Sequence, residues 1–332
     1  MKPEARRAEL EAVWAALQRA GRIVLTTHVN ADGDGAGCEV AVAARLRRDG
    51  REPVIVNPTP FPSTYAFLLE DLPAYAARDR EGKAALRDAD LFLVLDTSEA
   101  GRLGGVAGRF EGRPVAVLDH HPPNPDPLGD PAVLDPDACA TGELVYELLE
   151  LAGGELQPAE ARALYVAIAT DTGSFRFSNT SARAHEMVAE LLRAGADPAE
   201  MYRRIYRRLT PARVSLLQRA LASLQVDPEL PIAWVSLSRV EVEQAGAASE
   251  DMEGIVEYPR RLEGIEVAVL FRELAGRRTK ASLRSNGEVD VAEVARILGG
   301  GGHAKAAGVL LQRPLEEGRA AVLEQLRSAM RG

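Results

Sequence analysis

Residues 24 to 38 read VLTTHVNADGDGAGC, so His28, Asp32 and Asp34 fall among Gly33, Gly35 and Gly37 just after a run of β-branched and aliphatic residues. Carboxylates this close repel one another, and each glycine costs conformational entropy, so the segment needs a compensating partner. A bound cation is such a partner. The same pairing of an apolar run with ligand-type residues recurs: LFLVL ends at Asp96, PVAVL at Asp119, His120 and His121, and LYVAIAT at Asp171. Three of the five histidines stand at such ends, and a fourth, His303, lies in GGGGHAKAAG. Taken singly, a histidine is well explained by packing and an aspartate after a strand by helix capping. A set that shares one context is not.

Imidazole with several carboxylates and no thiolate suits manganese, iron, cobalt or magnesium better than structural zinc. Four aspartates and two histidines available as ligands exceed the needs of one ion. Two ions about 3.5–4 Å apart with a bridging carboxylate are the arrangement for phosphoryl transfer to water. One ion acidifies the attacking water and the other neutralises oxygens on phosphorus.

These residues converge only if the chain brings strand ends together. Short apolar runs at 22–27, 53–57, 91–95 and 114–118, with helical patterns between several of them, predict a parallel sheet covered by helices. In such a sheet the carboxyl ends of neighbouring strands meet in one crevice. Helices are expected at 140–153 and 158–173, and from about 181 to 224 the pattern is helical throughout, as in a connector with a solvated, arginine-rich face. Strands at 232–238, 267–274 and 279–285, with helices at 239–245, 250–257 and 291–298, predict a second domain. The fold class is therefore α/β: an N-terminal, mostly parallel sheet flanked by helices over 1–185, a helical linker over 186–225, and a smaller C-terminal α/β domain over 226–332.

A chain of 332 residues suits two domains, and 46% hydrophobic with 27% charged residues reads as globular. No apolar run approaches the ~20 residues that cross a bilayer. The N-terminal segment is charged and lacks the apolar core of a signal peptide, which predicts a cytoplasmic protein. Cys38 and Cys139 are far apart and read as small buried hydrophobes. As an alternative, the Cys38 thiol pKa could fall at a helix start. A net charge of −9 argues against a long polyanionic partner such as duplex nucleic acid. Residues 1–185 hold 19 Lys and Arg against 28 Asp and Glu, while residues 186–332 hold 21 of each. The acidic excess thus lies where cations could neutralise it.

THVNADGDGAG, LDTS, LDHH and ATDTGSFRFSNT, in this order, resemble the motifs of the DHH phosphoesterase superfamily. SLRS followed by GGGGHAKAAG resembles its DHH-associated C-terminal domain, and the size and plan are similar to the NrnA-like branch of nanoRNases and pAp phosphatases. The resemblance implies that His28 and Asp32 bind one ion, that Asp34, His120 and Asp171 bind the other, and that Asp96 bridges. By the same resemblance His121 faces the substrate phosphate or helps its protonation, and Asp119 holds an imidazole from behind, the two forming the catalytic pair. Ala31, Gly35 and Cys38 stand where the family commonly has Pro, Ala and Ser, at positions that are not ligands.

The glycine run could be a simple turn, but four glycines also let a backbone approach an anion. The resemblance makes Arg284, Ser285, Gly300, Gly301, Gly302 and His303 a substrate-binding set, with Arg176 on another wall. It implies two divalent cations, manganese first with magnesium or cobalt as alternatives, and a homodimer. The expected activity is hydrolysis of very short oligonucleotides and of 3'-phosphoadenosine 5'-phosphate (pAp) to 5'-mononucleotides, with no membrane partner. A RecJ-type single-strand exonuclease, a soluble cyclic or linear dinucleotide phosphodiesterase and a non-catalytic nucleotide sensor are the alternatives.

Overall fold

A computed structural model describes residues 3–122, 128–206, 210–247, 250–252 and 254–331, with the backbone alone at 3–5, 250 and 303. The chain divides into two compact units, Met1–Arg208 and Leu209–Gly332.

In the first unit the order is α1 (Pro3–Arg19), β1 (Ile23–Thr26), α2 (Gly33–Arg48), β2 (Val54–Asn57), β3 (Ala74–Ala76), α3 (Arg80–Asp88), β4 (Leu91–Leu95), a 3-10 segment (Ala100–Arg109), β5 (Val115–Asp119), β6 (Ala132–Leu134), α4 (Thr141–Ala152), α5 (Pro158–Asp171), α6 (Ala182–Arg193) and α7 (Pro198–Tyr206). The strands form one parallel sheet in the order β3-β2-β1-β4-β5-β6. Alternate residues of each central strand feed two apolar layers. Leu25, Leu93 and Leu118 pack under α1, α2, α4 and α5, while Val24, Phe92 and Val117 face α3 and the 3-10 segment. Burial on both faces explains why these strands are continuous apolar runs, each large side chain contributing about 1.5–3 kcal/mol.

The four strands expected here are present to within a residue or two of their ends. Edge strands β3 and β6 carried no apolar run long enough to announce them. Strand order reverses between β1 and β4, the point where an open parallel sheet leaves its crevice. In the β1–β4 register Thr26 lies opposite Val94, and in the β4–β5 register Leu95 lies opposite Leu118, so positions 28, 96 and 119 emerge in one layer. Helix α2 packs close over α5: a Cβ at Gly37 would lie 2.4 Å from the Ala163 carbonyl oxygen, so only glycine permits the approach.

The expected helical continuum over 181–224 is broken. Helix α6 ends at Arg193, Gly195 takes a φ of +102°, and Asp197 accepts the backbone N–H of Ala199 at 2.9 Å to start α7. Helices α6 and α7 belong to the first unit.

The second unit contains α8 (Pro211–Ala222), β7 (Gln225–Val226), β8 (Ile232–Leu237), α9 (Arg239–Ala245), a 3-10 turn (Glu250–Met252), α10 (Glu257–Arg260), β9 (Val267–Leu274), β10 (Arg278–Ser285), α11 (Val291–Ile297), β11 (Gly301–His303), β12 (Ala306–Leu311) and α12 (Leu315–Arg331). Its sheet runs β11-β12-β10-β9-β8-β7, parallel only between β8 and β9. The helix expected over 250–257 is instead a 3-10 turn and the short α10, with Gly254 at a φ of +75° between them. Part of the expected glycine turn is strand β11, paired with β12.

Candidate metal centre and active site

His28 follows β1 and is buried; its Nδ1 lies 3.0 Å from the Val29 carbonyl oxygen. A carbonyl only accepts, so Nδ1 carries the proton and Nε2 presents a lone pair. That Nε2 is buried without a hydrogen-bond partner, 3.3 Å from Asp96 Oδ2 and 3.8 Å from Asp32 Oδ2. Asp32 divides its carboxylate. Oδ1 caps α2 by accepting the N–H groups of Asp34 at 3.0 Å and Gly35 at 3.2 Å, which leaves Oδ2 for the cluster.

Asp34 is held at the start of α4, accepting Thr141 N–H at 2.7 Å and Gly142 N–H at 2.9 Å, while the Thr141 hydroxyl donates to Asp96 Oδ1 at 2.9 Å. The N-terminal end of α4 thereby favours the negative charges it orients. His120 Nε2 stands 3.9 Å from Asp34 Oδ2, 3.8 Å from Asp96 Oδ1 and 3.7 Å from Asp171 Oδ2. These separations are too long for hydrogen bonds and suit ligands around a shared ion. Asn179 Nδ2 donates to Asp171 Oδ2 at 3.1 Å. Three groups of close-set ligand atoms result: His28, Asp32 and Asp96; Asp34, His120 and Asp171; Asp96, His120 and His121.

Electrostatics match a site built for positive charge. Burial raises the Asp34 carboxyl well above its ordinary pKa, and Asp96, Asp171 and Asp32 push it further. Burial likewise raises Asp171, with His120 opposing and Asp96 adding to the shift. For His28, burial disfavours the charged form but Asp96, the Val29 carbonyl and Asp32 outweigh it and raise the pKa. Carboxylates that destabilise one another and an orphaned imidazole nitrogen fit divalent cations.

Asp119 is fully buried, and its Oδ1 accepts from His121 Nδ1 at 2.7 Å and from the His121 backbone N–H at 3.1 Å. The Asp119 bond raises the His121 pKa. Burial pulls Asp119 upward, but its bonds to His121 prevail and lower it.

Models of known families match the chain in two places: the DHH family N-terminal domain over residues 22–169 and the DHHA1 domain over residues 233–332. A bifunctional oligoribonuclease and PAP phosphatase NrnA from Thermus thermophilus is 32% identical over 93% of this chain and 90% of its own length. The chain belongs to the DHH family. Within that family it falls in the NrnA-like branch; the Bacillus subtilis NrnA is 28% identical over 86% of this chain and 88% of its own length. The fold agrees: an exopolyphosphatase-related protein from Bacteroides fragilis superposes with a TM-score of 0.87 at 24% identity, covering 97% of this chain and 96% of that one. As a DHH protein the chain is a metal-dependent phosphoesterase, and no described helix is long and apolar enough to cross a membrane.

All eight motif residues of the DHH unit, from His28 to Asp171, stand in one cluster. Arg176 is exposed and donates from Nε to the Gly173 carbonyl oxygen at 2.6 Å. The suggestion that the Cys38 thiol acidifies is corrected: burial, reinforced by Asp34 and Asp96, raises its pKa well above the ordinary value, and Sγ donates to Asp34 Oδ1 at 3.4 Å.

In the DHHA1 unit Arg284 is half-buried on β10, its Nε 3.5 Å from Glu257 Oε1. Ser285 is corrected as its companion, because strand alternation turns it to the opposite face, where it is buried with its hydroxyl 3.4 Å from the Gly287 carbonyl oxygen. The serine on the Arg284 face is Ser282. A Cβ at Gly300 would lie 2.3 Å from the Gly308 oxygen, and one at Gly302 2.5 Å from the Ala306 oxygen, so hairpin packing requires these two glycines; Gly301 faces open space. The His303 side chain lies outside the described residues.

Sequence reasoning missed Arg102, whose Nη1 lies 3.4 Å from His121 Nε2. It also missed a buried relay in which Asn57 Nδ2 donates to Glu39 Oε2 at 2.9 Å and Asn57 Oδ1 accepts the Thr27 N–H at 3.0 Å.

Proposed function

We propose that this DHH protein hydrolyses very short oligonucleotides and pAp to 5'-mononucleotides, with two divalent cations, manganese first, held by His28 and Asp32 on one side, Asp34, His120 and Asp171 on the other, and Asp96 between. The carrying observation is Asp96, whose two oxygens face different groups: Oδ2 lies 3.3 Å from His28, and Oδ1 lies 3.8 Å from His120. The names of the NrnA relatives support the substrate class.

When bound, the cations supply charge neutralisation at phosphorus and an acidified water. The chain's own residues do the rest. Asp119 orients His121 and raises its pKa, so that the protonated Nε2 and Arg102 beside it would both donate to a non-bridging phosphate oxygen. Asp32, capped onto α2, and Asp34, pinned at α4, hold their carboxylates still, so no reorganisation is needed as charge develops. Arg284 grips a second anionic group of the substrate.

A product time course on labelled di- to decanucleotides with manganese tests this. The expected result is fast release of mononucleotides from di- to tetranucleotides and a steep fall in rate beyond them, with pAp cleaved and chelator stopping both. Processive digestion of long single strands would replace this reading with a RecJ-type exonuclease. Binding without turnover of any substrate would leave a sensor.

A further inference from the structure

The β9–β10 end of one face of the second sheet carries two cations to which no role has been given. In the antiparallel register of β9 and β10, Arg272 lies opposite Lys280, Leu270 opposite Ser282 and Ala268 opposite Arg284. Alternation turns Arg272, Lys280, Ser282 and Arg284 to one side, where they line a cavity of about 340 Å³ floored in part by Met252. That volume is at the small end of ligand pockets, which run about 300–1,000 Å³.

Like charges directly opposite each other on a sheet repel. Among the described residues neither Arg272 nor Lys280 forms an ion pair, and the nearby carboxylate of Glu257 is engaged by Arg260 at 2.8 Å and by Arg284 at 3.5 Å. Arg272 Nη1 rests 2.8 Å from the Met252 thioether, a weak acceptor, and its Nε is buried without a partner. Self-repulsion and an unsatisfied guanidinium N–H are both repaired by an anion.

We propose that Arg272 and Lys280 form a phosphate subsite separate from that of Arg284. Lys280 and Arg284 stand four positions apart on β10, about 13 Å at the rise of an extended strand, a span that two nucleotide units of an extended single strand bridge. Counting the scissile phosphate and the one gripped by Arg284, the pair therefore reads the fourth phosphate of a substrate, which pAp and dinucleotides do not carry, and it favours 5'-phosphorylated tetra- and pentanucleotides. This inference rests on the oligonucleotide reading of the proposed function.

The test compares wild type with Arg272→Ala, Lys280→Ala and Lys280→Glu, measuring kcat/KM on pAp, a 5'-phosphorylated dinucleotide and a 5'-phosphorylated tetranucleotide. Loss of a charge-assisted contact should lower the tetranucleotide value roughly ten- to a hundredfold, with pAp and the dinucleotide changed by less than about twofold. In Lys280→Glu the cross-strand charges attract, so Tm should stay level or rise even as tetranucleotide turnover falls, whereas a merely structural Lys280 would lower Tm and all three rates together. Equal losses on all substrates, or no loss on the tetranucleotide, overturn the subsite. Failure of the underlying reading looks different, because the wild type itself would turn over no oligonucleotide. The subsite is then decided by inorganic pyrophosphate with chelated protein: a Tm increase in wild type that shrinks in Lys280→Glu supports it, and identical increases overturn it.

Discussion

Asp96 occupies the left-handed backbone region at a φ of 61°, a conformation that costs a non-glycine residue about 1–3 kcal/mol. The strain has a local reason. Its backbone N–H still pairs with the Leu118 carbonyl at 2.9 Å, so the turn begins at the end of β4 and aims the carboxylate between His28 and His120. Arg102 follows on the 3-10 segment, where its own carbonyl accepts the Val29 N–H at 2.7 Å and ties the segment to the His28 loop. Its guanidinium is thereby held beside His121 without touching the six candidate ligands. Arg102→Ala keeps the backbone bond, so metal content should be unchanged while kcat/KM on pAp falls roughly ten- to a hundredfold, the effect of one charged hydrogen bond. Metal analysis and steady-state kinetics on the same preparation check it, and a parallel loss of metal would make Arg102 a support of the cluster instead.

At the scale of elements, what pins the His28 loop from below is the relay from α2 through β2 to β1. Glu39 is fully buried, Asn57 nearly so, and Glu39 Oε1 has no partner. Burial pushes the Glu39 carboxyl up to about 8, against the Asn57 hydrogen bond and with the help of Asp96. A carboxyl whose folded pKa is raised contributes stability that is complete below about pH 4.5 and is lost as pH climbs through about 8, a swing of roughly 3–5 kcal/mol. Glu39→Gln keeps an acceptor for Asn57 and removes the ionisation. In chelator, its Tm advantage over wild type should therefore grow from pH 5 to about pH 8 and level off above it; parallel Tm curves would mean that Glu39 is solvated in solution.

Neither this relay nor Arg102 was legible in the sequence. The metal-type residues were, because His28, Asp96, His120 and His121 follow apolar runs that announce their strands, with Asp32 and Asp34 in the glycine-rich turn after the first and Asp171 at the end of an apolar helix, and parallel register does the rest. Glu39 to Asn57 and Arg102 to His121 are contacts between segments 18 and 19 residues apart, and neither residue type stands out locally. Ser282 differs: the two-residue period of β10 already placed it, and not Ser285, on the side of Arg284.

Across the whole molecule, charge and core are divided in the same way. The acidic excess lies in residues 1–185, which include every candidate ligand, and each unit has its own pair of apolar layers on the two faces of its own sheet. Separate cores predict two calorimetric transitions, and only the first unit should answer to metal. Each cation present at 100 times its Kd adds about 2.7 kcal/mol to the folded state. In a unit of this size 1 kcal/mol moves Tm by about 2–4 °C, so two cations should raise the first transition by about 10 °C or more and leave the second where it was. Asp96→Asn tests the bridge in the same scan. If one carboxylate serves both ions, its loss should erase most of the shift, whereas loss of a ligand to a single ion would leave about half of it. A half-sized shift in Asp96→Asn would thus assign Asp96 to one cation only, and a metal-induced shift of both transitions together would mean that the two units unfold as one.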